Sequence, residues 1–197
     1  MTEYDVSKLL SRNFGTVGME GDGLVLFGEN AALPHGGSSS RRLTKSDLVL
    51  IDAGGSLHGY VSDITRTFAL PGSKISAAHL KIWDLVHEAQ AAAYAVVKTG
   101  VRASQIDDAA REVMAREGLD KKFTHRLGHG IGLEGHEEPY LNAGNTDFEV
   151  QDGNSFSNEP GCYIEGEVGV RLEDCWYMDD AGRAVAFTPQ AVSPWEL

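Results

Sequence analysis

Cysteine is scarce: the chain holds only Cys162 and Cys175, each inside an apolar stretch, too few for a disulfide framework and placed as buried free thiols would be. A reducing compartment, with the cytoplasm as default, is the expectation. No apolar run approaches the length of a membrane span, and Thr2 to Asn13 is too polar for a secretory signal. Positive charge is also short. With 17 Lys and Arg against 29 Asp and Glu the formal net charge is −12, so nucleic acid and anionic membrane, both polyanions, would be repelled. Biased or low-complexity tracts are missing, and a hydrophobic content of 42% is ordinary for a globular chain. At 197 residues the sequence is expected to form one domain with a substantial core.

What is there is organised as strands, two helices, then strands again. Thr2 to Asn13 starts on a capping residue and spaces Val6, Leu9 and Leu10 as a short amphipathic helix does. Leu24–Phe27, Leu48–Ala53 and Tyr60–Phe68 are short apolar or alternating runs bounded by Gly, Asn and Ser, which predict strands, with Gly54 and Gly55 as the turn. Ser76 to Lys98 carries a helical stripe closed by Gly100, and Ser104 to Glu117 repeats it, with Ser104 as N-cap and Gly118 as stop. Further strands are expected near Phe123–Leu127, Ser155–Ile164 and Val170–Met178.

A weak internal echo runs through this layout. The first half offers His35-Gly36, then Asp52 before Ala53-Gly54, then Asp63; the second offers His129-Gly130, then Glu159 before Pro160-Gly161, then Glu173. Each half delivers one histidine and two carboxylates, as two half-domains facing one site would. Asp52 and Asp63 lie eleven positions apart, and a hairpin would turn both to one face, where two anions need a shared proton or a cation. Alone they read better as strand-end turn aspartates, which are common. His129 sits between glycines that let a backbone or ligand approach, and His136 needs a bend to reach the same place. Glu159 is held before a proline. Glu173 shares a strand face with Arg171 and Cys175, so its counter-charge is either Arg171 or a metal. Four carboxylates and one imidazole form a mainly hard set, suited to Mn²⁺, Co²⁺, Zn²⁺ or Fe²⁺ and needing neither thiol.

Ile51-Asp52-Ala53-Gly54, Ser62-Asp63-Ile64-Thr65-Arg66-Thr67, His125-Arg126-Leu127-Gly128-His129-Gly130-Ile131-Gly132, Asn158-Glu159-Pro160-Gly161 and Arg171-Leu172-Glu173-Asp174 together resemble the catalytic domain of Xaa-Pro aminopeptidases and prolidases. This is the pita-bread metallopeptidase family M24, which also holds the methionine aminopeptidases. The resemblance implies an α+β fold of two pseudo-symmetric halves of antiparallel strands with flanking helices. It also implies that residues 1–197 are one catalytic domain, N-terminally shortened relative to family members. It assigns Asp52, Asp63, His129, Glu159 and Glu173 as ligands of two divalent ions, Mn²⁺ first, with Asp63 and Glu173 bridging. Glu159 would be the general base, His35 and His136 would lie beside the metals, and His125 and Arg171 would meet a short peptide. A homodimer is the expected assembly.

Within this family four other readings compete, one of them a truncated, inactive fragment whose ligands persist without function. A creatinase-like hydrolase needs no metal and lacks several ligands, whereas all five are present here; a non-catalytic peptide-binding relative has likewise lost ligands. A methionine aminopeptidase usually carries an aromatic residue just before the second histidine, where this chain has Gly135. The expected reaction is therefore cleavage of an N-terminal Xaa-Pro bond.

Overall fold

Thr2 caps the first helix with its hydroxyl on the Asp5 amide while Asp5 returns a bond to the Thr2 amide, a reciprocal box that satisfies two otherwise orphaned donors. The computed structural model describes residues 1–33, 36 and 39–196. Its helices are α1 (Glu3–Thr16), α2 (Ala77–Val96) and α3 (Ala103–Arg116). The strands of the first half are β1 (Glu20–Phe27), β2 (Val49–Leu57) and β3 (Tyr60–Phe68). Those of the second are β4 (Gly128–Gly130), β5 (Glu137–Leu141), β6 (Ser155–Asn158), β7 (Gly161–Ile164), β8 (Val168–Arg171), β9 (Asp174–Met178) and β10 (Ala184–Ala186).

The strands pair antiparallel as β1-β2-β3, as β10-β9-β6-β4-β5 and as the hairpin β7-β8. α1 lies on β1 with Val6 and Leu10 against Val25, Phe27, Val49 and Phe68. α2 and α3 pack on each other and on the second half, where Trp83, Ile106, Met114, Leu127, Phe156 and Trp176 are buried. The two halves meet at the free edge of β3. There Thr65 pairs with Glu173 as a single antiparallel bridge, and the Val61 amide donates to the Gly132 carbonyl at 2.9 Å. This α+β architecture of two facing halves of antiparallel strands with flanking helices is the arrangement that the motifs implied.

Five local expectations are corrected, the first being that the strand near Val170–Met178 is two, β8 in the hairpin with β7 and β9 in the five-stranded sheet, parted at Leu172-Glu173. The β2–β3 turn is not at Gly54-Gly55, which lie inside β2; Leu57 faces Tyr60, and His58 and Gly59 form a two-residue loop with φ of 53° and 87°, as a primed hairpin turn requires. Residues Phe123 to Leu127 do not form a strand, because their polar groups are taken by α3: Arg111 donates to the Phe123 and His125 carbonyls, and Asp107 accepts from the Leu127 amide. The N-cap of α3 lies two residues early, at Arg102 rather than Ser104, because Gln105 reaches back to the Arg102 amide. The expected strand Ser155–Ile164 is two, β6 and β7, broken at Glu159-Pro160 where proline lacks the ladder donor.

Gly128 is required by packing. A Cβ there would run into the Ser157 carbonyl of the neighbouring strand, a backbone atom that cannot swing away. Gly128→Ala is expected to lower the unfolding free energy by roughly 1–3 kcal/mol, read by urea denaturation; an unchanged midpoint would show that β4 and β6 are not held at this spacing.

Candidate metal centre

Alternation along two paired strands brings the first two carboxylates together. Asp52 faces Thr65 and Asp63 faces Gly54 across the β2–β3 ladder, so both project to the same side. The second half supplies the rest. His129 is the centre of β4, Glu159 follows β6 with its amide on the Leu127 carbonyl at 2.8 Å, and Glu173 lies between β8 and β9 with its amide on the Thr65 carbonyl at 2.9 Å. His136 stands just before β5; the chain between β4 and β5 folds back and brings its ring edge-on to His129, with centroids 4.2 Å apart. The five expected ligands are thus assembled, with His136 beside them. His35 lies outside the described residues.

Ligand atoms of Asp52, Asp63 and Glu173 lie within 4.8 Å of one another, as do those of His129, Glu159 and Glu173 and those of Asp63, His129 and His136. The His129 Nδ1 sits 3.1 Å from the Gly130 carbonyl, which can only accept, so Nδ1 carries a proton and Nε2 faces inward. That Nε2 is 3.2 Å from Glu159 Oε1 and 3.9 Å from Asp63 Oδ2. A neutral imidazole lone pair aimed at two carboxylates is repulsive unless a proton or a metal cation lies between them. Glu173 is buried; its Oε2 accepts from Thr65 Oγ1 at 2.7 Å, while Oε1 has no partner among the described residues.

The electrostatics say the same. Burial and the charges of Asp52 and Glu159 push Asp63 up to about 7. Burial, then Glu159, Asp63 and Asp52, drive Glu173 well above the usual carboxylate range. Burial also works upward on Glu159, but the bond from His129 and the positive charge of Arg171 hold it low. For His129 burial opposes charge, and Glu159 overcomes it to raise the imidazole. Without a cation, protons are drawn in to relieve the crowding of anions. The donor set fits divalent ions.

Around the cluster runs a polar support. Arg171, buried, donates to Asp52 Oδ2 at 2.6 Å, to the Tyr163 hydroxyl at 2.9 Å and to Thr65 Oγ1 at 3.3 Å. Its ion-pair partner is therefore Asp52, not the nearby Glu173. Tyr163 in turn lies 2.8 Å from His125 Nε2. Burial lowers His125 and His136 below the ordinary histidine value, the latter helped by His129, so both are neutral at neutral pH. His136 is exposed on the open side, whereas His125 is partly covered by Tyr163 and Phe123. Sequence reasoning missed Tyr163 and Ser157, whose hydroxyl accepts from the His129 amide at 3.1 Å and donates to Glu159 at 3.2 Å. The only signal for Tyr163 was its position four residues after Glu159 on a buried apolar strand.

The pattern for metallopeptidase family M24 matches residues 1–180. An uncharacterized peptidase of Schizosaccharomyces pombe is 44% identical over 184 residues, 91% of this chain and 41% of that protein. An Xaa-Pro dipeptidase of Lactobacillus delbrueckii is 42% identical over 163 residues, 82% of this chain and 43% of that protein. The crystal structure of dipeptidase PepE from Mycobacterium ulcerans superposes with a TM-score of 0.92 at 37% identity, covering 98% of this chain and 52% of that one. The chain thus spans about half or less of these relatives' lengths. No helix among the described residues is long and apolar enough to cross a membrane.

Adding Mn²⁺ to metal-free protein is expected to raise its thermal midpoint, by a margin equivalent to about 2.7 kcal/mol at a hundred times Kd. Glu173→Gln should remove most of that rise and leave the metal-free protein no less stable, since the amide replaces a carboxyl already driven towards neutrality. A midpoint indifferent to Mn²⁺ in the unsubstituted protein would contradict this site.

Proposed function

From the premise that this chain belongs to metallopeptidase family M24, we propose that it hydrolyses the N-terminal bond of short peptides with proline in the second position. The observation that carries the reading is the inward His129 Nε2 set against Asp63 and Glu159 with the unpaired Glu173 Oε1 beside them, a crowding of anions that divalent cations would relieve. Asp52, Asp63, His129, Glu159 and Glu173 would hold two divalent ions, Mn²⁺ in the first instance. When bound, such ions polarise a carbonyl and lower the pKa of water towards neutrality.

The chain's own groups do the rest. Glu159 is kept ionised by the bond from His129 and the charge of Arg171, so it is ready to accept a proton from the attacking water and pass it to the leaving nitrogen. Ser157 holds one Glu159 oxygen and thereby fixes the direction of the other. His136, neutral and exposed on the open side, is placed to hydrogen-bond the substrate carbonyl. Arg171 spends its guanidinium on Asp52 and Tyr163, so in this proposal it positions a ligand instead of meeting the peptide directly. His125, with Nδ1 on the Arg126 carbonyl and Nε2 on the Tyr163 hydroxyl, would meet the leaving proline through its ring and not through a free nitrogen. His35 keeps only the role that the family resemblance implies.

The secondary amine that leaves from an Xaa-Pro bond must, like any departing amine, be protonated, and Glu159 is placed to carry that proton. The Lactobacillus delbrueckii relative, an Xaa-Pro dipeptidase, supports the same substrate. Two free, buried thiols fit a reducing compartment, and exposed Tyr60, Phe187, Val192 and Trp195 fit a homodimer.

Glu159→Gln is expected to lower kcat by about 10²-fold or more while the thermal midpoint of the metal-free protein stays near that of the unsubstituted chain. Retained turnover would remove Glu159 as the base. Ala-Pro-Ala should be cleaved with a higher kcat/KM than Ala-Ala-Ala or Met-Ala-Ser; faster cleavage of Met-Ala-Ser would reassign the chain to the methionine aminopeptidase branch, and cleavage of none would favour a non-catalytic peptide binder.

A further inference from the structure

The motif Ser62-Asp63-Ile64-Thr65-Arg66-Thr67 gives the metal centre one ligand and leaves its arginine without a role. Arg66 lies on β3, in the first half, yet its guanidinium is spent on the second. Nη1 donates to the Glu173 carbonyl at 2.7 Å and to the Thr65 carbonyl at 3.1 Å. Nη2 donates to Asp174 Oδ1 at 2.7 Å and to the Pro189 carbonyl at 2.8 Å. Asp174 is itself buried and held from two other sides, by Gln90 Nε2 at 3.0 Å and Thr188 Oγ1 at 2.9 Å. The arginine therefore grips an acceptor that is fixed in the core of the second half.

We infer that the Arg66–Asp174 pair is a latch across the seam between the halves, one that sets where Glu173 stands relative to Asp52 and Asp63. Glu173 is held at both ends from β3: Thr65 takes its carboxylate, and Arg66 its main-chain carbonyl. This rests on the two-ion reading of the site. His129, Glu159 and Glu173 all belong to the second half and keep their mutual spacing through its own strands. In the group of Asp52, Asp63 and Glu173 the first two come from the first half and Glu173 from the second, so its geometry depends on the latch. Releasing the latch should weaken the ion held between the halves and spare the one held by His129, Glu159 and Glu173. A planar fork is needed, because two acceptors in different directions must be met by one rigid group. A lysine could keep the charge beside Asp174 but not the Glu173 carbonyl as well.

The test is calorimetric titration of the full chain with Mn²⁺, alongside electron paramagnetic resonance of the loaded protein. Unsubstituted protein is expected to bind two ions and to show the spin-coupled signal of a pair. Arg66→Lys is expected to melt in its metal-free form close to the parent, to bind the first ion as tightly, to hold the second roughly 10–100-fold more weakly and to lose the coupled signal at low loading. Arg66→Ala should do the same more strongly; if it does not fold, Arg66→Lys decides. Two ions bound by Arg66→Lys with parental affinities and an intact coupled signal would make the pair an ordinary ion pair and overturn the latch while leaving the proposed function standing. Parallel weakening of both ions would overturn it too. Fewer than two ions in the unsubstituted protein would overturn the latch and the two-ion reading together.

Discussion

Four carboxylates crowd around one inward-facing imidazole at the seam of two sheets, and the rest of the structure serves that concentration of negative charge. Arg171 neutralises only Asp52, and Thr65 hydrogen-bonds only one oxygen of Glu173. The remainder is left for cations or for protons, as the upward displacement of Asp63 and Glu173 records. Such a cluster opposes folding of the metal-free chain and rewards metal binding, so affinity and stability are linked through the same residues. Its assembly also demands close backbones. Gly54 and Gly128 each lie where a Cβ would strike a neighbouring carbonyl, and each is close in sequence to a ligand.

Much of this was legible before any coordinates. The β2–β3 hairpin follows from alternation, and alternation alone puts Asp52 and Asp63 on one face once the runs pair. Arg171, Glu173 and Cys175 do share a direction as period two requires: all three reach towards β2 and β3, with Cys175 Sγ on the Asp63 carbonyl. The turn was misplaced because two adjacent glycines look like a turn, whereas His58-Gly59 owes its conformation to hairpin twist, which a histidine does not advertise. The Phe123–Leu127 segment looked extended because its apolar content was right; what decided otherwise was Asp107 and Arg111 on a helix, and nothing local announces such side-chain capture. The pairing of Arg171 with Asp52 spans 119 residues and is set by how the halves dock, so the nearer Glu173 seemed the natural partner.

The division of labour between the halves also explains why the supporting groups escaped notice. Tyr163, Ser157, Thr65 and Arg66 carry no metal-ligand chemistry, and each acts by fixing the orientation of a residue that does. Tyr163 orients His125 and Arg171; Ser157 joins His129 to Glu159; Thr65 and Arg66 share the two ends of Glu173. A motif with unassigned polar positions between its ligands is thus a place to look for such supports.

The central claim is that this cluster is a two-ion site. Elemental analysis of the purified chain, loaded with Mn²⁺ and then freed of excess by dialysis, measures it directly. The account predicts close to two Mn²⁺ per chain, lost to a strong chelator. A stoichiometry near zero, with the cluster intact and the protein folded, would mean that protons and Arg171 alone balance the carboxylates, and would contradict it.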